Sequence, residues 1–182
     1  MVKMFCILTI ALAANLMSVG QAQKDTDILI RVSDSTSGAC GYRNGDGRIE
    51  IPLGKYSYCF SDTFGKYAIV IDSGKGIVGI DRQENVLYNV FVFDNGPDDP
   101  SSGLFRIKVA DKIGYADAAT GKVVVKPQFA CAWPFEHGLA KVALDCQTHY
   151  LGEHSTWVSD HWFYINKAGV RISKGAKKEK DR

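Results

Sequence analysis

The stretch KIGYADAATGKVVVKPQF, residues 112–129, decides the fold class. An apolar and aromatic run enters a turn that contains Asp117, Thr120 and Gly121, and the β-branched run 123–125 leaves it. Gly tolerates the positive φ that tight hairpin turns need, and Val fits the half-buried face of a sheet. The stretch therefore predicts a β-hairpin.

The same pattern recurs along the chain, at residues 40–49, 78–87 and 162–172. A further strand, preceded by Gly, is predicted at residues 66–71, 104–109 and 139–144. In 104–109, apolar residues alternate with Arg106 and Lys108, which predicts a strand with one face in water. Because convincing helical periodicity is absent from the chain beyond its first residues, the sequence predicts an all-β repeat protein.

At this point the chain resembles the WG-repeat family of exported bacterial proteins. Residues 113–117, 120–129 and 135–142 are similar to its Trp-Gly-Tyr-Ile-Asp strand, its Thr-Gly-Lys turn and its Phe-x-Glu-Gly-Leu-Ala strand. The Trp-Gly dipeptide itself is intact nowhere, since Phe163 follows Trp162 and the other units keep Gly without Trp. The resemblance implies about four antiparallel three-stranded repeats in a curved or closed array, and a binding role.

The two ends of the array are unequal. The last hairpin has no further strand before the basic end of the chain, whereas residues 28–32 read as a strand without a hairpin of its own. Exposed edge strands invite aggregation, and pairing these two ends would remove them. We therefore predict that the N-terminal strand completes the last repeat.

Residues 1–22 read as a signal peptide. Lys3 precedes an apolar run at 5–19, and the small residues Gly20 and Ala22 stand at the positions that a signal peptidase reads. An uncleaved anchor is the alternative, although the run is shorter than the ~20 residues that span a bilayer. The predicted organisation is a repeat domain at 23–173 and a basic disordered tail at 174–182, with a periplasmic or secreted location and no stable membrane insertion after cleavage.

Four cysteines remain beyond the leader: Cys40, Cys59, Cys131 and Cys146. An even number in an oxidising compartment predicts two disulfides, for which three connectivities exist. We favour Cys40–Cys59 and Cys131–Cys146 because each pair closes a short loop. Buried free thiols are the alternative.

The charge distribution and the absence of known motifs argue against nucleic-acid binding and against common catalytic sites. The formal net charge of +2 comes from the leader and the tail, so the body is slightly acidic and a nucleic-acid groove is not predicted. The chain has no Gly-x-Ser-x-Gly elbow, phosphate loop or Cys-x-x-Cys motif, and no paired carboxylates stand out. We predict no catalytic residue and no cofactor.

The clearest irregularity is the insertion at residues 145–161, because long loops on rigid scaffolds commonly carry function. We predict a protein-contact loop with the binding residues His149, Tyr150, His154, Trp157 and His161, joined by Trp133. The histidine spacings fit no standard zinc motif, and the oxygen-rich segment 94–100 lacks the register of a calcium loop. No metal site is therefore predicted.

Three functions follow, in order of preference. The first is an exported module that binds another protein, such as an inhibitor or immunity protein acting on a toxin or hydrolase. The second is a binder of cell-envelope carbohydrate, which requires Trp133, Trp157 and Trp162 on one exposed face. The third is a hydrolase whose site lies near His149, His154 and His161.

Overall fold

The computed structural model describes residues 28–152 and 154–173, and these contain strands and turns but no helix. The predicted leader, residues 1–22, and the predicted tail, residues 174–182, lie outside the described residues. The described part therefore contains no helix that could cross a membrane. All strand pairs are antiparallel, and the sheets they form are open. The all-β prediction is confirmed.

Nineteen strands build three larger sheets and two small hairpins. The first sheet contains β1 (Leu29–Ser33), β2 (Cys40–Arg43), β3 (Ile49–Tyr56) and β5 (Thr63–Phe64). The second contains β4 (Tyr58–Cys59), β6 (Tyr67–Asp72), β7 (Gly76–Asp81), β8 (Val86–Val90), β11 (Leu104–Val109), β12 (Lys112–Asp117) and β13 (Val123–Phe129). The third contains β14 (Cys131–Ala132), β15 (Leu139–Ala143), β18 (Phe163–Asn166) and β19 (Arg171–Ile172). The small hairpins are β9 (Val92–Phe93) with β10 (Gly96–Pro97), and β16 (Gln147–Leu151) with β17 (His154–Val158).

Each predicted hairpin pairs with the strand that precedes it in the chain. The resulting three-stranded meanders are β1-β2-β3, β6-β7-β8, β11-β12-β13 and β15-β18-β19. The prediction that the N-terminal strand completes the last repeat is therefore wrong. β1 pairs with β2 and β5 in the first sheet, and the last hairpin pairs with β15.

The physical reason lies in local contacts. Leu29 is buried in the cluster that also contains Tyr42 and Phe64. Arg31 donates to the carbonyl oxygen of Cys59 at 2.8 Å and forms an ion pair with Asp62 at 2.8 Å. A short loop to β2 costs far less chain entropy than a closure across the whole array. β1 therefore pairs with β2, the strand that follows it most closely in the sequence.

The four hairpin turns share two features, although the turn after Asp117 is one residue longer than the others. In each turn a side-chain oxygen accepts a backbone N–H from within the turn; these oxygens belong to Asn44, Asp81, Asp117 and Asn166. The residue with positive φ that closes each turn is Gly47, Glu84, Gly121 or Gly169. Short Asx side chains replace a backbone partner in this way and stabilise tight turns. The turn residues that predicted the hairpins therefore form them.

The Gly of the motif allows a close backbone approach. A Cβ atom at Gly114 would lie 2.5 Å from the carbonyl oxygen of Val125, and one at Gly41 would lie 2.5 Å from that of Ile51. Register shifts in both hairpins bring the returning strand over these glycines. Only a residue without a side chain fits there.

Both predicted disulfides are present. Cys40–Cys59 joins the first sheet to the second, with Cα atoms 6.0 Å apart, and Cys131–Cys146 joins the third sheet to the base of the β16–β17 hairpin, at 6.1 Å. Such bonds are consistent with an oxidising environment outside the cytoplasm.

One strand prediction is wrong in detail. Arg106 of β11 was expected on a water-facing side, but its side chain is only 4% exposed. Asp98 accounts for this burial, because its carboxylate accepts hydrogen bonds from the Arg106 backbone N–H at 2.8 Å and from Nε at 3.0 Å, and it also pairs with Nη2. A buried charge is tolerated when it is paired in this way.

Candidate binding site

The predicted contact loop is a β-hairpin rather than an irregular loop. β16 and β17 pair over five positions, from Gln147 opposite Val158 to Leu151 opposite His154. The hairpin forms a sheet of its own and departs from the third sheet between β15 and β18. Its sequence carries a signal that could have predicted it, since runs rich in Thr, Tyr, Trp and Val flank Gly152.

The hairpin register divides the predicted binding residues between two faces. Trp157 lies opposite Thr148, and Tyr150 lies opposite Ser155, so these side chains share one face. His149 lies on the other face, opposite Thr156. The side chain of His154 lies outside the described residues. Tyr150 is 78% exposed, which makes it the most exposed large apolar side chain among the described residues.

Trp157 connects the segments that carry the two small hairpins, β9–β10 and β16–β17, which we call the insertions. Its ring contacts Trp133 edge to face at a centroid distance of 5.5 Å, and Phe91 at 5.9 Å. Phe91 stands immediately before β9, and its carbonyl oxygen accepts the backbone N–H of Asp98. The hairpins β9–β10 and β16–β17 therefore meet at this aromatic contact.

Residues of the second sheet hold the segment that carries Trp133. The Tyr115 hydroxyl donates to the carbonyl oxygen of Trp133 at 2.6 Å, and Arg106 Nη1 donates to that of Ala132 at 3.3 Å. Ser101 Oγ donates to the carbonyl oxygen of Phe135. Trp133 thus extends from a backbone that three side chains fix in place.

All three tryptophans of the chain line one open groove of about 660 Å³. Its lining residues are Trp133, Pro134, Glu136, His137, Leu139, Lys141, Thr156, Trp157, Trp162 and Tyr164. Trp133 is 43% exposed, and Trp157 and Trp162 are half-buried. We call this the tryptophan groove. The three tryptophans therefore line one groove, although only Trp133 is well exposed, and carbohydrate binding stays a prediction.

His161 lies at the base of the hairpin and does not line the tryptophan groove. Its Nδ1 atom lies 2.9 Å from Asp145 Oδ2, and both side chains are exposed. They line a second groove of about 830 Å³ beside β18 and β19. Because His149 and His161 sit on different parts of the insertion, with different neighbours, the hydrolase hypothesis gains no supporting geometry from them.

The contact between Asp145 and His161 should shift the pKa values of both side chains, which can be measured. Hydrogen bonding to His161 lowers the pKa of Asp145, and the same hydrogen bond raises the pKa of His161. The pair is therefore formed between these two pKa values; it is lost as pH falls through the folded pKa of Asp145 or rises through that of His161. Proton NMR of Asp145→Asn should show His161 titrating at lower pH than in the parent.

The control substitution is Asp111→Asn on the turn between β11 and β12, which should leave the His161 titration unchanged. An Asp145→Asn variant in which His161 titrates as in the parent would show that the contact is not formed in solution.

The buried carboxylate of the oxygen-rich segment 94–100 binds another side chain of the protein. Asp98 is paired with Arg106, so this carboxylate is already neutralised by a guanidinium. Among the described residues, no group of three or more His, Cys, Asp and Glu side chains is arranged to hold a metal ion.

Several groove residues were not predicted from the sequence. Lys141 and Tyr164 are direct partners across β15 and β18, and the Lys141 ammonium lies 4.8 Å from the centre of the Trp162 ring. Glu136 and His137 come from the turn before β15, where His137 has positive φ. Alternation along 139–144 indicates which residues share a face, but not which strand lies beside them.

Comparisons of the chain with protein-family models, with curated proteins and with solved structures give no match. The resemblance to WG repeats therefore stays a prediction from the motifs.

Proposed function

We propose that this protein is an exported, non-catalytic module that binds another protein, of the kind that inhibits or neutralises a toxin or hydrolase. The observation that carries this proposal is the meeting of the two insertions at Phe91 and Trp157. Two disulfides support an exported location. The WG-like repeats are the proposed scaffold, and the insertions are the proposed contact elements.

The contact elements expose apolar side chains, whose contact with water is unfavourable unless a partner covers them. We define the hairpin surface as Val92, Phe93 and Tyr150, which are 53%, 64% and 78% exposed. Aromatic residues, Tyr above all, are enriched where protein interfaces concentrate their binding energy. Val92 and Phe93 belong to the first small hairpin and Tyr150 to the second, and exposed apolar residues on such loops are candidates for an interaction site.

A disulfide and several ring contacts hold the two insertions in place, and this rigidity favours the affinity for a partner. The Cys131–Cys146 bond fixes the start of the β16–β17 hairpin, and Trp157 packs on both Trp133 and Phe91. Phe91 in turn stacks on the buried Arg106 guanidinium, 4.1 Å from the ring centre. A pre-ordered surface loses less conformational entropy when a partner binds.

Site-specific photo-crosslinking tests the proposal. A photoreactive phenylalanine analogue at position 150, in the cells that naturally make the protein, should give one discrete crosslinked product identifiable by mass spectrometry. The same analogue at Leu87, a 41%-exposed strand position outside the two insertions, is the matched control and should give none.

Substitution then tests the energetics. The double variant Phe93→Ser with Tyr150→Ser should weaken binding of the identified partner at least about thirtyfold, since interface hot spots are each worth roughly 2 kcal/mol or more. Discrete crosslinking from position 87 alone, or unchanged affinity of the double variant, would refute the proposal.

A further inference from the structure

We infer that the tryptophan groove is a separate binding site for a saccharide, of the class of uncharged β-linked pyranose chains. Its residues differ from those of the hairpin surface, so the inference does not rest on the proposed protein partner.

The strand at the base of the groove, β15, has its backbone hydrogen-bonding groups paired with neighbouring segments, so a ligand meets side chains there. β15 lies between β14 and β18, with Lys141 opposite Tyr164 and Leu139 opposite Asn166. On the other side, the backbone N–H of Trp133 donates to the Lys141 carbonyl oxygen at 2.9 Å. A peptide that binds by adding a strand needs a free strand edge, and β15 is paired on both sides. The ligand must therefore be recognised by rings and polar side-chain ends.

Two of the aromatic residues that line the groove are well exposed. Trp133 and Tyr164 are 43% and 48% exposed, and both line the groove with Trp157 and Trp162. The face of an aromatic ring carries partial negative charge, which attracts weakly polarised C–H groups. A pyranose with equatorial substituents has two such C–H faces. Because the Trp133–Trp157 contact holds both rings, little entropy is lost on stacking.

Polar side chains that can bind sugar hydroxyls also line the groove. Glu136 supplies an acceptor, Lys141 a donor, and Thr156 either, while His137 adds an imidazole. Their charges are of both signs, and the Lys141 ammonium already lies over the Trp162 ring, 4.8 Å from its centre. A groove of this balance favours an uncharged ligand over a strongly anionic or cationic one.

Intrinsic fluorescence reports directly on this site, because every tryptophan of the chain lines the groove. The intact, oxidised protein is titrated with cellohexaose and with chitohexaose to about 10 mM, a concentration that saturates a site of millimolar affinity. At least one of the two should produce a saturable change in emission. A proline decapeptide, which also stacks on aromatic grooves, is titrated in parallel.

Two substitutions localise the effect. Trp133→Ala and, independently, Tyr164→Ala should each weaken saccharide binding about tenfold, as expected for loss of one stacking contact. Leu87→Ala on β8, outside the groove and the two small hairpins, is the control and should bind as the parent does. Circular dichroism shows which variants retain the fold, and the Tyr164 variant decides the case if the Trp133 variant does not.

Three results would overturn the inference: no emission change with either hexasaccharide, a change with the proline peptide alone, or saccharide binding that is unaltered in a folded Tyr164→Ala variant. None of these results bears on the hairpin surface, whose test uses positions 93 and 150.

Discussion

Replacing Asp98 with Ala should lower the free energy of unfolding by about 3–5 kcal/mol, the usual cost of stranding one member of a buried ion pair. Arg106 and Asp98 are 4% and 3% exposed, and the carboxylate accepts the Arg106 backbone N–H as well as its guanidinium. Without Asp98, the guanidinium keeps a hydrogen bond to the Ala132 carbonyl oxygen and its contact with Phe91. Denaturant unfolding of the oxidised protein measures the loss.

Two further variants test whether the loss of stability comes from leaving the buried Arg106 charge without its partner. Asp62→Ala breaks the ion pair with Arg31 at a carboxylate that is 81% exposed, and should cost under about 1 kcal/mol. Combining Asp98→Ala with Arg106→Met removes the stranded charge and should restore a substantial part of the lost stability. If Asp98→Ala costs no more than Asp62→Ala, the buried pair is not formed as described.

Gly114→Ala should destabilise the protein by about 3 kcal/mol or more, the upper range for forcing an added carbon into packed surroundings. The new Cβ atom would lie 2.5 Å from the Val125 carbonyl oxygen and 2.6 Å from the Pro127 nitrogen. Both atoms are backbone, so relief requires β13 to move away from β12. Thermal and denaturant unfolding should both record the change.

Gly45→Ala provides the matched control for that substitution. Gly45 lies in the first hairpin turn, where an added Cβ would meet nothing within 4 Å, and its φ is not positive. Its stability should stay within about 0.5 kcal/mol of the parent. Equal effects of the two substitutions would show that close approach of β13 is not the reason for Gly at position 114.

The hairpins and disulfides could be predicted because their determinants are local. Asn44, Asp117 and Asn166 each form their turn with backbone atoms a few residues away. Likewise, Cys40–Cys59 and Cys131–Cys146 close loops with sequence separations of only 19 and 15 residues. Short loops have low closure entropy, so nearby cysteines meet first.

Pairings between distant segments could not be predicted in the same way. The apolar run at 28–32 indicates a strand, but the contacts of Leu29 and Arg31 that select its neighbours come from residues up to Phe64. Arg106 looks like a water-facing residue until Asp98 is placed beside it. The tryptophan groove likewise depends on Lys141 and Tyr164 meeting across two strands that the β16–β17 hairpin separates in sequence.

The positions of the two disulfides also govern how the molecule responds to tension. A pull between the two ends of the described chain passes from Cys40 directly to Cys59, and from Cys131 directly to Cys146, so neither enclosed loop can be drawn out. Between the two loops, residues 60–130 can extend, and most of them lie in the seven-stranded sheet that runs from β4 to β13. Under load, the base of the β16–β17 hairpin would remain covalently anchored.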